Sequence, residues 1–326
     1  GDIMIKIAVD AMGSDNGSKI VVEAVKNFLN DYKDVEFVVY GKKEELVELE
    51  GLTKIVDCAD VMGMEDGALQ VMRKKETSMI KAIEGAKNDN LDGVVSAGST
   101  GAFLTASTIY LKLIEGLQRA ALVSPFPTMG EKSVILLDIG ANNENTAEHL
   151  LEFAKLGKVF SKVYNDVEKP RIYLLSNGAE EKKGSPLIKE AHQLIKNSNL
   201  EGFKGNMEAR YILSGDADVV VCPGFDGNVV LKNTEGTAKL FSNLLKKAFK
   251  KNIFTKIGYL FARSGIKEMQ SKMDYKSYGG AMLLGVNKVV VKGHGSSDAR
   301  AFYHAIRVTY ELIKKDMITK IKEELK

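Results

Sequence analysis

The sequence predicts an α/β protein built on a mainly parallel sheet covered on both faces. Three observations carry that expectation: short β-branched runs, glycine- or asparagine-rich turns directly after them, and segments of 3.6-residue period in between. IKIAVDAMG (5–13) reads as the first strand and turn, and KIVVEAVKNFLNDY (19–32) as the first helix. EFVVYG (36–41) is the next strand, SMIKAIEGAKN (78–88) the next helix and GVVSAG (93–98) the third strand. SVILLDIGAN (133–142), RIYLLSNG (171–178), DVVVCPG (218–224) and KVVVKGHG (288–295) repeat the strand-and-turn pattern, with AEHLLEFAKLGKVFSKVY (147–164) and SPLIKEAHQLIKN (185–197) as helices among them. Strands that are apolar throughout, rather than alternating, suit a sheet buried on both sides. No repeat or low-complexity linker divides the chain, so residues 1–326 are expected to form a single two-lobed unit.

Composition excludes several classes. Apolar residues at 44% and charged residues at 27% exclude a disordered or fibrous chain. No run approaches the roughly 18 apolar residues of a membrane span. The opening GDIMIKIAVDAMGSD lacks the long apolar core of a secretory leader, and Gly1 to Ile3 before Met4 read as a cloning remnant. A cytosolic protein is expected. Cys58 and Cys222 sit in strand-like runs without a CxxC or a nearby histidine, which points to buried structural thiols in a reducing compartment.

In an open parallel sheet, ligands bind where strands end and helices begin, because the free N–H groups of a helix start favour anions. Six such turns hold polar side chains. SAGSTGAF (96–103) offers Gly98, Ser99, Thr100 and Gly101 to a phosphate. DIGANNE (138–144) carries Asn142, LLSNGAEEKKGSPL (174–187) carries Lys182 and Lys183, and PGFDGNVVLK (223–232) carries Asn228. GNMEAR (205–210) contributes Asn206, Glu208 and Arg210, and HGSSDAR (294–300) contributes His294, Gly295, Ser296, Ser297, Asp298 and Arg300. Each turn also has a purely structural reading, since Ser and Asp are common helix caps and a Glu beside an Arg is often just an ion pair.

The chemistry narrows by spacing. HGSSDAR lacks the second glycine of a nucleophile elbow, and neighbours within one turn diverge instead of converging as a triad must. Gly293 and Gly295 are followed by Asp298 where a dinucleotide fingerprint needs glycine, and no GxxxxGK[ST] occurs. The four histidines show no metal-ligand spacing, so no metal or cofactor is expected. An anion cradle flanked by a histidine and an arginine is what remains.

Nine blocks in order, DAMGSD, MRKKETSM, SAGSTGA, DIGAN, EEKKG, GNMEAR, GFDGNV, MDYKSYGGA and HGSSDARAF, span nearly the whole chain and resemble the bacterial phosphate acyltransferase family. That resemblance implies a three-layer α/β/α fold like the isocitrate and isopropylmalate dehydrogenases, a homodimer, and transfer of a long acyl chain from acyl carrier protein to inorganic phosphate. The chain departs from the family pattern at Ser99, Ser176, Asn177, Pro223 and Asp226. On the resemblance, Lys183, Arg300 and the amides after Gly295 are expected to hold phosphate. Asn142 and Asn228 would orient the carbonyl or the phosphate, and His294 would polarise or transfer a proton. The loops at Gly98, Asn142, Lys183, Asn228 and Gly295 are expected to meet in one cleft. A dehydrogenase on the same fold, a coenzyme-A-dependent acyltransferase and a nucleic-acid-binding module are the rivals. No nucleic-acid partner is expected, because such a module leaves the glycine-lined polar turns without a task.

Charge is uneven although the net is only +3. Residues 236–267 hold eight lysines and arginines and no acid, and apolar residues at Phe241, Leu244, Leu245, Ala248 and Phe249 follow helical spacing. Ile253, Phe254, Ile257, Leu260 and Phe261 form a second set after Asn252. A basic amphipathic helical hairpin touching an anionic membrane through Phe249, Ile253, Phe254, Ile257, Leu260 and Phe261 is expected, giving reversible peripheral association with the inner face of the cell membrane. A core or dimer-interface helix pair is the alternative reading. Arg73, Lys74 and Lys75, or the lysines of this segment, could dock the acidic carrier protein.

Overall fold

The computed structural model describes residues 4–274 and 280–326. The reading of Gly1 to Ile3 and the middle of the MDYKSYGGA block fall outside them. The first half of the sheet is built from β1 (Ile5–Asp10), β2 (Val35–Gly41), β3 (Lys54–Asp57) and β4 (Gly93–Ser96), together with β11 (Val289–Lys292) from the far end of the chain. β5 (Ala121–Phe126), β6 (Val134–Leu137), β7 (Ile172–Ser176), β8 (Phe203–Glu208), β9 (Val219–Val221) and β10 (Ala281–Leu284) complete it. Among the described residues these form one eleven-stranded sheet in the order β3-β2-β1-β4-β11-β10-β5-β6-β9-β7-β8.

Helices cover both faces. α1 (Ser18–Asp31), α5 (Ala147–Asn165), α6 (Pro186–Asn197), α9 (Ala299–Lys314) and α10 (Met317–Glu324) pack on one side, where Phe28, Phe153, Phe160 and Phe302 are buried. α2 (Ala68–Arg73), α3 (Ser78–Asn88) and α4 (Thr100–Leu111) pack on the other, around Met79, Ile83 and Phe103. Each such side chain contributes roughly 1.5–3 kcal/mol by leaving water. The three-layer α/β/α expectation holds. The chain ends meet as α1 packs on α9, with Phe28 edge-on to Tyr310 at 5.6 Å between ring centroids.

Strand direction is where the structure departs from the expectation. β10 runs antiparallel to both β11 and β5, and β5 antiparallel to β6, while the pairs on either side are parallel. The strands β1, β2, β3, β4 and β11 therefore end at one edge of the sheet, and β6, β7, β8 and β9 end at the opposite edge. A six-residue strand such as β5 separates the two edges by about 20 Å. The sequence shows seven of the strands; β3, β5, β8 and β10 are added by the structure. Pro125 within β5 disguises it, since proline is unusual inside a sheet.

The basic segment forms a helical hairpin, as the periodicity predicts, but it starts earlier. α7 (Gly224–Phe249) begins inside the GFDGN block, and α8 (Ile253–Met273) is capped by Asn252, whose Oδ1 accepts from the Thr255 amide at 2.9 Å. No residue of α8 is buried, and in α7 only Gly224 and Gly227 are. Among the described residues no helix is long and apolar enough to cross a membrane.

Candidate active site

At the first edge, the ends of β1, β4 and β11 bring DAMGSD, SAGST and KGHGSS together. Asp15 donates its amide to the Gly295 carbonyl at 2.9 Å, and the Asn16 side-chain amide donates to the Ser297 carbonyl at 2.9 Å. A Cβ on Gly13 would lie 3.4 Å from the Gly98 Cα, and one on Gly295 would lie 2.7 Å from the methyl of Met64. Gly13 lets its turn meet the Gly98 backbone, and Gly295 leaves room for the Met64 side chain.

Beneath these turns lies a buried polar row that no local sequence pattern marks. The register pairs Lys292 with Ser96 and Val9 with Val95, so Asp10, Ser96 and Lys292 stand side by side across three parallel strands. All three follow the phase of Ala8, Val94 and Val290, which face α3 and α4. Ser78 and Ser96 donate to the two oxygens of Asp10 at 2.6 and 2.7 Å, and the Met12 amide adds a bond at 3.2 Å. Burial pushes the Asp10 carboxyl up to about 6 despite these donors, and burial pushes the Lys292 ammonium down to about 8 against the pull of Asp10 and Asp15. Its signal is not local: a polar residue closes each of three valine-rich strands.

Because the folded chain holds the Asp10 proton more tightly than the unfolded chain, with its ordinary value of 3.8, this group stabilises the fold most below pH 4. That contribution is lost as pH rises through about 6, by about 3 kcal/mol in all. Urea unfolding of the wild type and D10N at pH 4 and pH 7 should show the wild type losing stability relative to the variant by about that amount. A difference independent of pH would be at odds with this assignment.

HGSSDAR resolves into distinct roles. Asp298 caps α9, its Oδ1 accepting from the Ala301 amide at 2.8 Å, and the buried Ser297 hydroxyl donates to the His294 carbonyl at 2.6 Å. Exposed His294 accepts the Ser296 amide at Nδ1, 3.2 Å away, with the Ser296 hydroxyl also at 2.8 Å. The neutral ring therefore carries its proton on Nε2. Arg300 is exposed and lines a groove against Glu23, Asn27 and Asp31 of α1. Ser99 is consumed locally: its hydroxyl donates to the Asp66 carbonyl at 2.9 Å and accepts from the Ala102 amide at 3.4 Å. Thr100 and Gly101 stand exposed on the first turn of α4.

At the second edge the structure sorts the candidates. Asn142 spends its side-chain amide on the Ala120 carbonyl and on Asp138, both at 2.8 Å, and so staples the DIGAN turn. Asp138 also accepts from the amides of Leu122, Gly140, Ala141 and Asn142, and burial still raises its pKa above the usual carboxylate range. Asn206 is buried between His192, at 2.8 Å, and the Glu180 carbonyl, at 2.9 Å. Arg210 pairs with Glu208 at 2.6 Å. Both groups thus take their structural reading. Lys183 and Asn228 differ: both are exposed, and among the described residues their side chains make no hydrogen bond or ion pair. Asn228 stands over Gly140, where a Cβ would lie 3.6 Å from the asparagine side chain. Gly98 and Gly295 lie at one edge and Asn142, Lys183 and Asn228 at the other, so the five loops do not share one carboxyl edge. Antiparallel β5 and β10 are the cause.

Both cysteines are buried, and burial pushes the Cys58 thiol up to about 11 and the Cys222 thiol well up, so neither is an activated nucleophile.

Residues 5–320 match the family described as "Fatty acid synthesis protein". A curated relative from Staphylococcus haemolyticus named "Phosphate acyltransferase" is 41% identical over 305 residues, covering 93% of each chain. The chain belongs to the phosphate acyltransferase family. Among solved structures, a phosphotransacetylase from Streptococcus pyogenes superimposes with a TM-score of 0.62 at 20% identity, covering 95% of this chain and 94% of that one. A 4-hydroxythreonine-4-phosphate dehydrogenase from Burkholderia phymatum gives 0.51 at 13% identity, with 95% and 98% covered. These two establish the shared fold, including its likeness to a dehydrogenase, and nothing about substrates. Within the family fold, the first-edge turns offer backbone amides at a helix start, and Lys183 and Asn228 offer uncommitted donors at the second.

Proposed function

We propose that the protein transfers a long-chain acyl group from a thioester of acyl carrier protein to inorganic phosphate, for use in phospholipid synthesis, acting as one two-lobed catalytic unit in a homodimer. Near-full-length identity to a curated phosphate acyltransferase carries this reading. A phosphate oxygen attacks the thioester carbon, the C–S bond breaks, and the thiolate leaves and takes up a proton. A thiol with a pKa near 8.5 is already a fair leaving group, so positioning and charge stabilisation outweigh acid catalysis. The first-edge turns suit the phosphate and His294 with its Nε2 proton suits a hydrogen bond to it; the carbonyl under attack must lie within reach of that phosphate, so Lys183 and Asn228, about 20 Å away at the other edge of the same copy, suit it as groups supplied by the other subunit of the homodimer.

Acyl carrier protein is preferred over coenzyme A as donor because an acidic protein can engage exposed cations spread over the surface, beyond the reach of one small anion. In the MRKKE stretch, Lys74 is taken by Asp66 at 2.5 Å, which leaves exposed Arg73 and Lys75. Purified protein given phosphate and a palmitoyl thioester should yield acyl phosphate, trapped as the hydroxamate. With the carrier-protein donor, raising salt should raise KM. No hydroxamate from either donor overturns the function, equal use of coenzyme A overturns the donor, and a salt-independent KM removes the electrostatic patch. The exposed hairpin supports peripheral contact with an anionic membrane, where a long-chain acyl phosphate partitions.

A further inference from the structure

A buried lysine without a close carboxylate is costly to fold, because its charge has left water without full compensation. Lys292 is such a residue. It is 6% exposed, its ammonium donates to the Gly293 carbonyl, and no carboxylate lies within 4.0 Å of it among the described residues. Lys158, buried to a similar degree, pairs with Glu324 at 2.7 Å. The charged groups facing Lys292 are Asp10 on β1 and Asp15 in the turn after it. Asp10 is already engaged by two hydroxyls and an amide, as described above.

The place of this charge is specific. Gly293 donates its amide to the Ser96 carbonyl at 2.8 Å, which fixes the end of β11 against β4. The ammonium donates to the Gly293 carbonyl, directly before the turn formed by His294 to Ser297. The same strand end leads into the Gly295 backbone and the start of α9, where Asp298 takes the Ala301 amide and the earlier amides have no intrahelical partner. A buried positive charge and amide donors at one strand end form a polarity that a small dianion matches.

We propose that Lys292 supplies the buried positive charge that binds the phosphate nucleophile at the first edge, with Asp10 as the positioning residue that holds it there. This rests on the proposed acyl transfer to phosphate. The ammonium offsets the dianion's charge, and Asp10, tied to Ser78 of α3 and Ser96 of β4, attracts the lysine electrostatically and so favours its place in the row. Phosphate affinity is then set from within the sheet and not by the exposed Arg300.

Steady-state kinetics of K292M test this, since methionine approximates the lysine stem without its charge. KM for inorganic phosphate should rise at least tenfold while KM for the acyl thioester stays as in the wild type. The double variant D10N/K292M removes both buried charges and covers the case in which K292M alone does not fold. It should fold and remain as weak for phosphate as K292M. A double variant with wild-type KM for phosphate would reduce the pair to a structural one and overturn the proposal, as would an unchanged KM in K292M. A wild type that makes no acyl phosphate sinks the proposed function instead. In that event, a rise in Tm with inorganic phosphate in the wild type but not in the double variant upholds the lysine's role, and an equal rise in both overturns it.

Discussion

N228A and K183A are expected to lower acyl phosphate formation by about 100-fold or more, as losing one positioned donor to a developing oxyanion typically does, with no loss of Tm. The contrast with their neighbours makes this a sharp expectation. N142A frees the Ala120 carbonyl and removes a donor from buried Asp138, and N206A takes the Nδ1 partner from buried His192 and one of two donors from the Glu180 carbonyl. Those two should cost about 1–3 kcal/mol of stability each, the usual penalty for an orphaned buried polar group, which in N206A is the His192 ring. Lys183 and Asn228 have no such partners to orphan. Four variants carried through thermal unfolding and the hydroxamate assay should separate into two activity losses and two stability losses. Full turnover in both N228A and K183A would remove the second edge from the chemistry.

How much of this was legible in the sequence depended on whether a feature leaves a local trace. The strands ending in DAMG, SAG, DIGAN and KGHG, and the helices between them, show through β-branched runs and helical period. Strand direction does not, because a strand buried on both faces has the same composition either way. β10, AMLL, is four residues long, and the local trace of its direction is the short glycine-containing link GVNK into β11. The antiparallel pairings of β10 with β11, β10 with β5 and β5 with β6 together leave β6 running opposite to β1, and so split the expected single cleft into two edges. The Asp10–Ser96–Lys292 row was hidden for a related reason: its members are 86 and 196 positions apart in the chain and meet only through the register of β1, β4 and β11. For Asn142 and Asn206 the sequence is silent on direction, because an asparagine in a turn looks alike whether its amide faces a ligand or, as in the structure, a backbone carbonyl.

The hairpin carries the other large effect. Substituting both Phe254 and Phe261 with Asp is expected to abolish sedimentation with anionic vesicles while leaving turnover on a soluble donor unchanged. These rings are 80% and 86% exposed, and Ile253 and Leu260 beside them are also open to solvent. Phe249 departs from the expected contact set: it is half-buried, edge-on to Tyr259 with 5.5 Å between ring centroids, so it holds α7 to α8 instead of facing outward. Large aromatic side chains left in water at a helical tip are unfavourable unless something covers them. Lys246, Lys247, Lys250, Lys251, Lys256 and Arg263 are exposed around that tip, and none has an ion-pair partner among the described residues. A second copy of the same segment would bring like charges together. An anionic bilayer instead accepts the rings and attracts each nearby cation by about 1 kcal/mol. Binding of the wild type should therefore weaken as salt rises, and the double variant should stay in the supernatant at every salt concentration. Equal sedimentation of the two proteins would exclude the tip from the membrane. A double variant that also turns monomeric by light scattering would assign the hairpin to the subunit interface.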